Sequence, residues 1–189
     1  MDLQRALRDG PAYVRNAEDA IARNIPNADL LYMWDNQVNA IDGYLANTEP
    51  LNGESGDLSK LRDTLRDLKK KLELKLMEFE AKAEGVEVPE EPPAADVIED
   101  LKAVVEDILG MADDALKRKV KDVRELSMYE DPRDLCHGFL ADSEPYKSDQ
   151  ALAKAREDVR KRKLDLDARI TAIEEEWRKK DLESGDDDD

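Results

Sequence analysis

Cys136 and His137 are the only cysteine and the only histidine in the chain, so nucleophilic or general-base chemistry by these residue types would have to run through them. As sequence neighbours on a helix they point about 100° apart, which does not make a nucleophile and base pair. A zinc site needs closely spaced Cys and His ligands, and a di-iron bundle needs a Glu-x-x-His step on each of two helices; one histidine supplies neither. There is no glycine-rich phosphate loop or nucleophile elbow, and the terminal aspartates Asp186 to Asp189 lack the glycine and spacing of a calcium loop. The sequence therefore predicts a non-enzymatic protein with no catalytic, cofactor-binding or metal-ligating residue and no cofactor.

The next chemically suggestive stretch is Arg160-Lys161-Arg162-Lys163, flanked by Arg156 and Arg169. Glu157, Asp158, Asp165 and Asp167 interleave with it, which predicts a solvated helix with local ion pairs rather than a phosphate-binding stripe. The net charge of −17 argues in the same direction, against nonspecific binding of nucleic acid or of an anionic membrane surface. Most of that charge lies in three places: the N-terminal third, the connector from Glu84 to Asp100, and the tail with Asp186 and Asp187. No run approaches the roughly 18 apolar residues of a membrane span. The opening residues carry no secretory pattern, and a lone cysteine fits a reducing compartment, so a soluble, cytoplasmic protein is expected.

The elements that must position these residues are helical. A 40% hydrophobic content with only two Phe and two Trp predicts an aliphatic core, and 41% charged residues predict mostly wet helix faces. The clearest stripe runs through Leu58, Leu61, Leu65, Leu68, Leu72, Leu76, Phe79 and Ala83, at steps of three and four, with Asp57 as cap and Gly85 as stop. One extra step of four interrupts its heptad, which favours a bundle over a regular two-stranded coil. A second stripe, Leu31, Trp34, Val38, Ile41 and Leu45, belongs to a helix over 28–46 capped by Asn27. The loop from Asn47 to Gly56 folds it back antiparallel, placing Trp34 near the far half of the central helix. Before it, a short helical turn over 2–9 ends at Gly10, and Pro11 opens a helix over 11–24.

Gly85 to Pro93 reads as an acidic, proline-rich hinge. Beyond it a long helix is expected over 94–128, with Gly110 marking a close helix crossing or a slight bend, then a short helix over 131–140 opened by Asp131-Pro132. A last helix over 148–182 is capped by Ser148, with a seam ending at Trp177. Residues from 184 read as an acidic disordered tail.

The fold class expected is all-α: an elongated bundle of long amphipathic helices with coiled-coil-like packing. Its domains are an N-terminal part with a helical hairpin (1–84), the hinge (85–93), a C-terminal hairpin with a short capping helix (94–183), and the tail (184–189). The function expected is a structural, assembly, scaffold-like or adaptor role through helix-to-helix contacts with protein partners and by self-association. Trp34, Leu65, Leu72, Phe79 and Trp177 are the candidate interface residues. The alternative is an acidic inhibitor or chaperone that meets a basic protein surface through Glu87, Glu90, Glu91, Asp186 and Asp187.

Overall fold

The computed structural model describes residues 1–23, 30–88, 92–120 and 122–184, and the described chain is all-α, with six helices and no strand. No described helix is long and apolar enough to cross a membrane. The chain divides into two compact units, Met1–Pro92 and Pro93–Asp189.

In unit 1, α1 (Leu3–Ala22), α2 (Tyr32–Thr48) and α3 (Gly56–Glu84) pack pairwise into a three-helix bundle. Asp2 caps α1 by accepting from the Arg5 amide at 2.8 Å. Ser55, rather than Asp57, caps α3, because its hydroxyl accepts from the Asp57 and Leu58 amides. Gly85 ends α3 at φ 72°, a left-handed conformation that a glycine adopts without strain. Leu58, Leu65, Leu68 and Leu72 of the central stripe are buried with Ile41, Leu45 and Trp34, while Leu61, Leu76 and Phe79 are half-buried and Ala83 is exposed. Each fully buried Leu contributes about 1.5–3 kcal/mol before ordering costs, so this face is the main source of the unit's cohesion. Trp34 does lie against the far half of α3, with Lys75 Nζ 5.5 Å from its ring centroid.

Gly10 and Pro11 do not separate two helices. α1 runs through both, and the reason is tertiary: a Cβ on Gly10 would lie 2.1 Å from Leu61 Cδ2 and 2.6 Å from Tyr44 Oη, so α1 meets its neighbours closely at Gly10. Pro11 is exposed, and the hydrogen bond it removes is tolerated because the helix is held from its other side. At this contact Tyr44 Oη donates to the Ala6 carbonyl at 2.8 Å, and its ring lies 5.0 Å from that of Tyr13. Burial raises the Tyr44 phenol to about 12. A phenol whose folded value exceeds its unfolded value of about 10 gives stability that is present below pH 10 and is lost as pH rises toward 12. Alkaline unfolding followed by tyrosinate absorbance should therefore show a Tyr44 component in that window, and Tyr44→Phe should remove it; a phenolate that forms without loss of helicity would contradict the assignment.

In unit 2, α4 (Ala94–Lys117), α5 (Ser127–Asp142) and α6 (Gln150–Ser184) again pack pairwise. The expected long helix over 94–128 stops at Lys117. Arg118 turns extended, its carbonyl accepts from Tyr129 Oη at 2.8 Å, and Val120 and Leu126 bury themselves from the connecting segment rather than from a helix face. The short helix opened by Asp131-Pro132 is instead a full bundle member that starts at Ser127 and carries Pro132 inside its first turns. Gly110 marks no helix crossing, because a Cβ there would meet nothing within 4 Å. Asp149 rather than Ser148 receives the first amides of α6, from Ala151 and Leu152 at 3.0 Å each.

Candidate protein interface

The two units are built on one sequence pattern. Residues 43–51 read Gly-Tyr-Leu-Ala-Asn-Thr-Glu-Pro-Leu and residues 138–146 read Gly-Phe-Leu-Ala-Asp-Ser-Glu-Pro-Tyr. At the same spacing, Ala-Glu-Asp-Ala-Ile-Ala-Arg at 17–23 is matched by Ala-Asp-Asp-Ala-Leu-Lys-Arg at 112–118. In the third helix, one residue closer, Leu58, Arg62, Lys69 and Leu72 correspond to Leu152, Arg156, Lys163 and Leu166. Apolar periodicity, which every amphipathic helix shares, does not reveal this repeat; the loop and polar residues carry it.

The matched residues make matched bonds. Arg62 Nη1 donates to the Leu45 carbonyl at 2.7 Å and to Thr48 Oγ1; Arg156 Nη1 donates to the Leu140 carbonyl at 2.6 Å and to Ser143 Oγ. Both arginines are buried, and each binds the last turn of the unit's second helix, where carbonyls have no intrahelical donor. The buried lysines match less completely. Lys69 pairs with Asp42 at 2.7 Å and Glu73 at 3.3 Å, and Lys163 pairs with Asp167 at 2.8 Å, but the position of Asp42 is taken in unit 2 by His137.

Each unit also has a groove between its first two helices, and the two grooves are lined by corresponding residues. In unit 1 the lining is Asn16, Asp19, Ala20, Arg23, Tyr32, Met33, Asn36 and Gln37; in unit 2 it is Met111, Asp114, Ala115, Arg118, Ser127, Met128, Asp131 and Pro132. Their volumes, about 280 and 310 Å³, are alike, so the two grooves offer the same space. An aspartate, an alanine, an arginine and a methionine recur at the same places. The alanines are buried and let the helices approach, whereas the aspartates and arginines are exposed and add nothing to the core. Asp114 is held below the usual carboxylate range by hydrogen bonding to Lys117, at 2.7 Å.

The candidate interface residues read from the sequence fall elsewhere. Trp34, Leu65 and Leu72 are buried in unit 1, where the Trp34 indole donates to the Ala20 carbonyl at 2.9 Å, and Phe79 is half-buried; these side chains hold the unit together instead of facing outward. Trp177 is 49% exposed, on the part of α6 that follows its last buried side chain, Ile170, among the residues whose burial is described. There Glu174–Arg178 and Glu176–Lys180 ion pairs support the helix. Of the acidic contact residues, Glu87 is exposed, and Glu90, Glu91, Asp186 and Asp187 lie outside the described residues.

The basic run is divided among separate contacts. Arg162 forks onto Asp113 of α4 at 2.6 and 3.3 Å, Lys163 is buried on Asp167, and Arg160 approaches Glu157 at 3.9 Å. Cys136 is fully buried, and burial raises its thiol to about 12, so the thiolate that would act as nucleophile is absent near neutral pH. A thiol reagent at pH 8 should label Cys136 only at the rate of unfolding; rapid labelling of the folded protein would show that α5 opens. His137 is also buried, its Nδ1 3.5 Å from Asp134 Oδ1. No group of three or more His, Cys, Asp or Glu suited to a metal ion occurs among the described residues.

No protein family, no curated protein and no solved structure matches the chain.

Proposed function

We propose that the protein is a non-enzymatic adaptor or assembly factor with two helical interaction modules in tandem, each binding a protein partner through the groove between its first two helices. The observation that carries this reading is the recurrence of exposed Asp19, Arg23 and half-buried Met33 as Asp114, Arg118 and Met128 around equivalent grooves. Core positions recur because both bundles need them; exposed positions have no such reason. Two linked modules also raise avidity for a partner that presents two binding elements.

The reading is tested by placing a photo-cross-linking residue at position 33 or 128, and at exposed Lys161 as control, in the protein's native source. Cross-links to a common partner from 33 and 128 but not from 161 are expected. Equal yields at all three positions, or none at any, would overturn it.

A further inference from the structure

Resting on that reading, we infer that the groove of unit 2 binds a basic amphipathic helix, and that the unit 1 groove has diverged from this preference. The unit 2 groove combines an apolar floor with unmet acidity. Met111 and Met128 are 49% and 41% exposed, with buried Pro132 also lining the groove, so the floor presents flexible thioethers to solvent. Methionine adapts to differently shaped apolar side chains, which suits a surface that receives a helix. Both walls are themselves helices, α4 and α5, and a groove between two helices is filled by the apolar face of a third.

Charge selects which helix. Two carboxylates line this groove. Lys117 reaches Asp114, whereas exposed Asp131 makes no ion pair among the described residues. Its counterpart in unit 1 is the neutral Asn36, and the counterpart of exposed Met111 is Asn16, so the unit 1 groove loses both a charge and apolar surface. A lysine or arginine one turn from an apolar anchor would meet Asp131 as the anchor covers Met128. The net charge of −17 favours the encounter of such a helix and opposes that of an acidic one. Arg118, exposed and also without an ion pair among the described residues, is left to receive a carboxylate at the other side of the groove.

The test uses the full chain and two labelled peptides of roughly 18 residues, long enough to be helical, with one leucine stripe and a polar face of either lysine or glutamate. Fluorescence anisotropy should show saturable binding of the lysine peptide and none of the glutamate peptide. Met128→Asp should weaken it by about tenfold or more, Asp131→Lys should reverse the preference between peptides, and Met33→Asp should leave most of the binding in place. Both unit 2 positions are exposed, so unchanged helicity of the variants is expected and is checked by circular dichroism. Equal binding of both peptides, binding unaffected by Met128→Asp, or a doubled mass in sedimentation that Met128→Asp abolishes would overturn the inference, the last by showing that a second copy fills the groove. Cross-links from positions 33 and 128 to a partner without a basic helix would sink this inference and leave the adaptor reading standing.

Discussion

Arg62→Met should destabilise unit 1 by about 3 kcal/mol, and Arg156→Met should do the same to unit 2. Arg62 is wholly buried, and its guanidinium donates to the Leu45 carbonyl and to Thr48 Oγ1. Methionine restores the length of the side chain but donates nothing. The Leu45 carbonyl sits in the last turn of α2, where it would keep only the long 3.4 Å contact from the Thr48 hydroxyl among the described side-chain donors, so much of its desolvation would be left uncompensated. Charged donors contribute about 1.5–3 kcal/mol per bond, and a buried acceptor left alone costs about 1–3 kcal/mol, which together set the expected size. Urea unfolding followed by Trp34 emission, in a Trp177→Phe background, reports on unit 1 because Trp34 is buried there. A loss below about 0.5 kcal/mol would show that the arginine is a passenger.

The second large effect is a difference of sign between two glycines inside helices. Gly10→Ala should destabilise by about 1–3 kcal/mol, because the new methyl would stand 2.1 Å from Leu61 Cδ2 and 2.6 Å from the Tyr44 hydroxyl that bonds Ala6. Gly110→Ala should stabilise by about 1 kcal/mol, since a Cβ there meets nothing within 4 Å and alanine restricts the unfolded chain. Thermal unfolding of the two variants decides the matter. A Gly10→Ala protein as stable as the parent would mean that α1 moves away from α3 at little cost, and a destabilising Gly110→Ala would place a neighbour against that face of α4.

Much of the helical architecture was legible in the residues. The stripe through Leu58, Leu65, Leu68 and Leu72 is buried as its three-and-four spacing requires, and Gly85 ends that helix in the left-handed conformation expected of it. Errors came where punctuation and packing conflict. Gly10-Pro11 reads as a break, yet α1 continues because its contact with Leu61 and Tyr44 demands a residue without a side chain. The apolar run through Val120 and Leu126 reads as helix, yet these residues fill the core from the segment joining α4 to α5. Trp177 occupies an apolar seam position, but burial on α6 ceases before it among the residues described.

By itself the sequence determined that this protein is all-α with an aliphatic core, because apolar spacing specifies which face of a helix must leave water whatever covers it. It also contained the repeat, in polar and loop residues such as Thr48-Glu49-Pro50 and Ser143-Glu144-Pro145. Only the tertiary structure decided which of the marked residues are walls of a core and which remain outside. Trp34, Leu65 and Leu72 passed to the core, and Met33, Met128, Asp131 and Arg118 came to line grooves. The physical reason is that periodicity records hydrophobicity along one helix, whereas a groove is a property of two helices set side by side. Its rim is made largely of polar residues, which leave no mark on apolar periodicity.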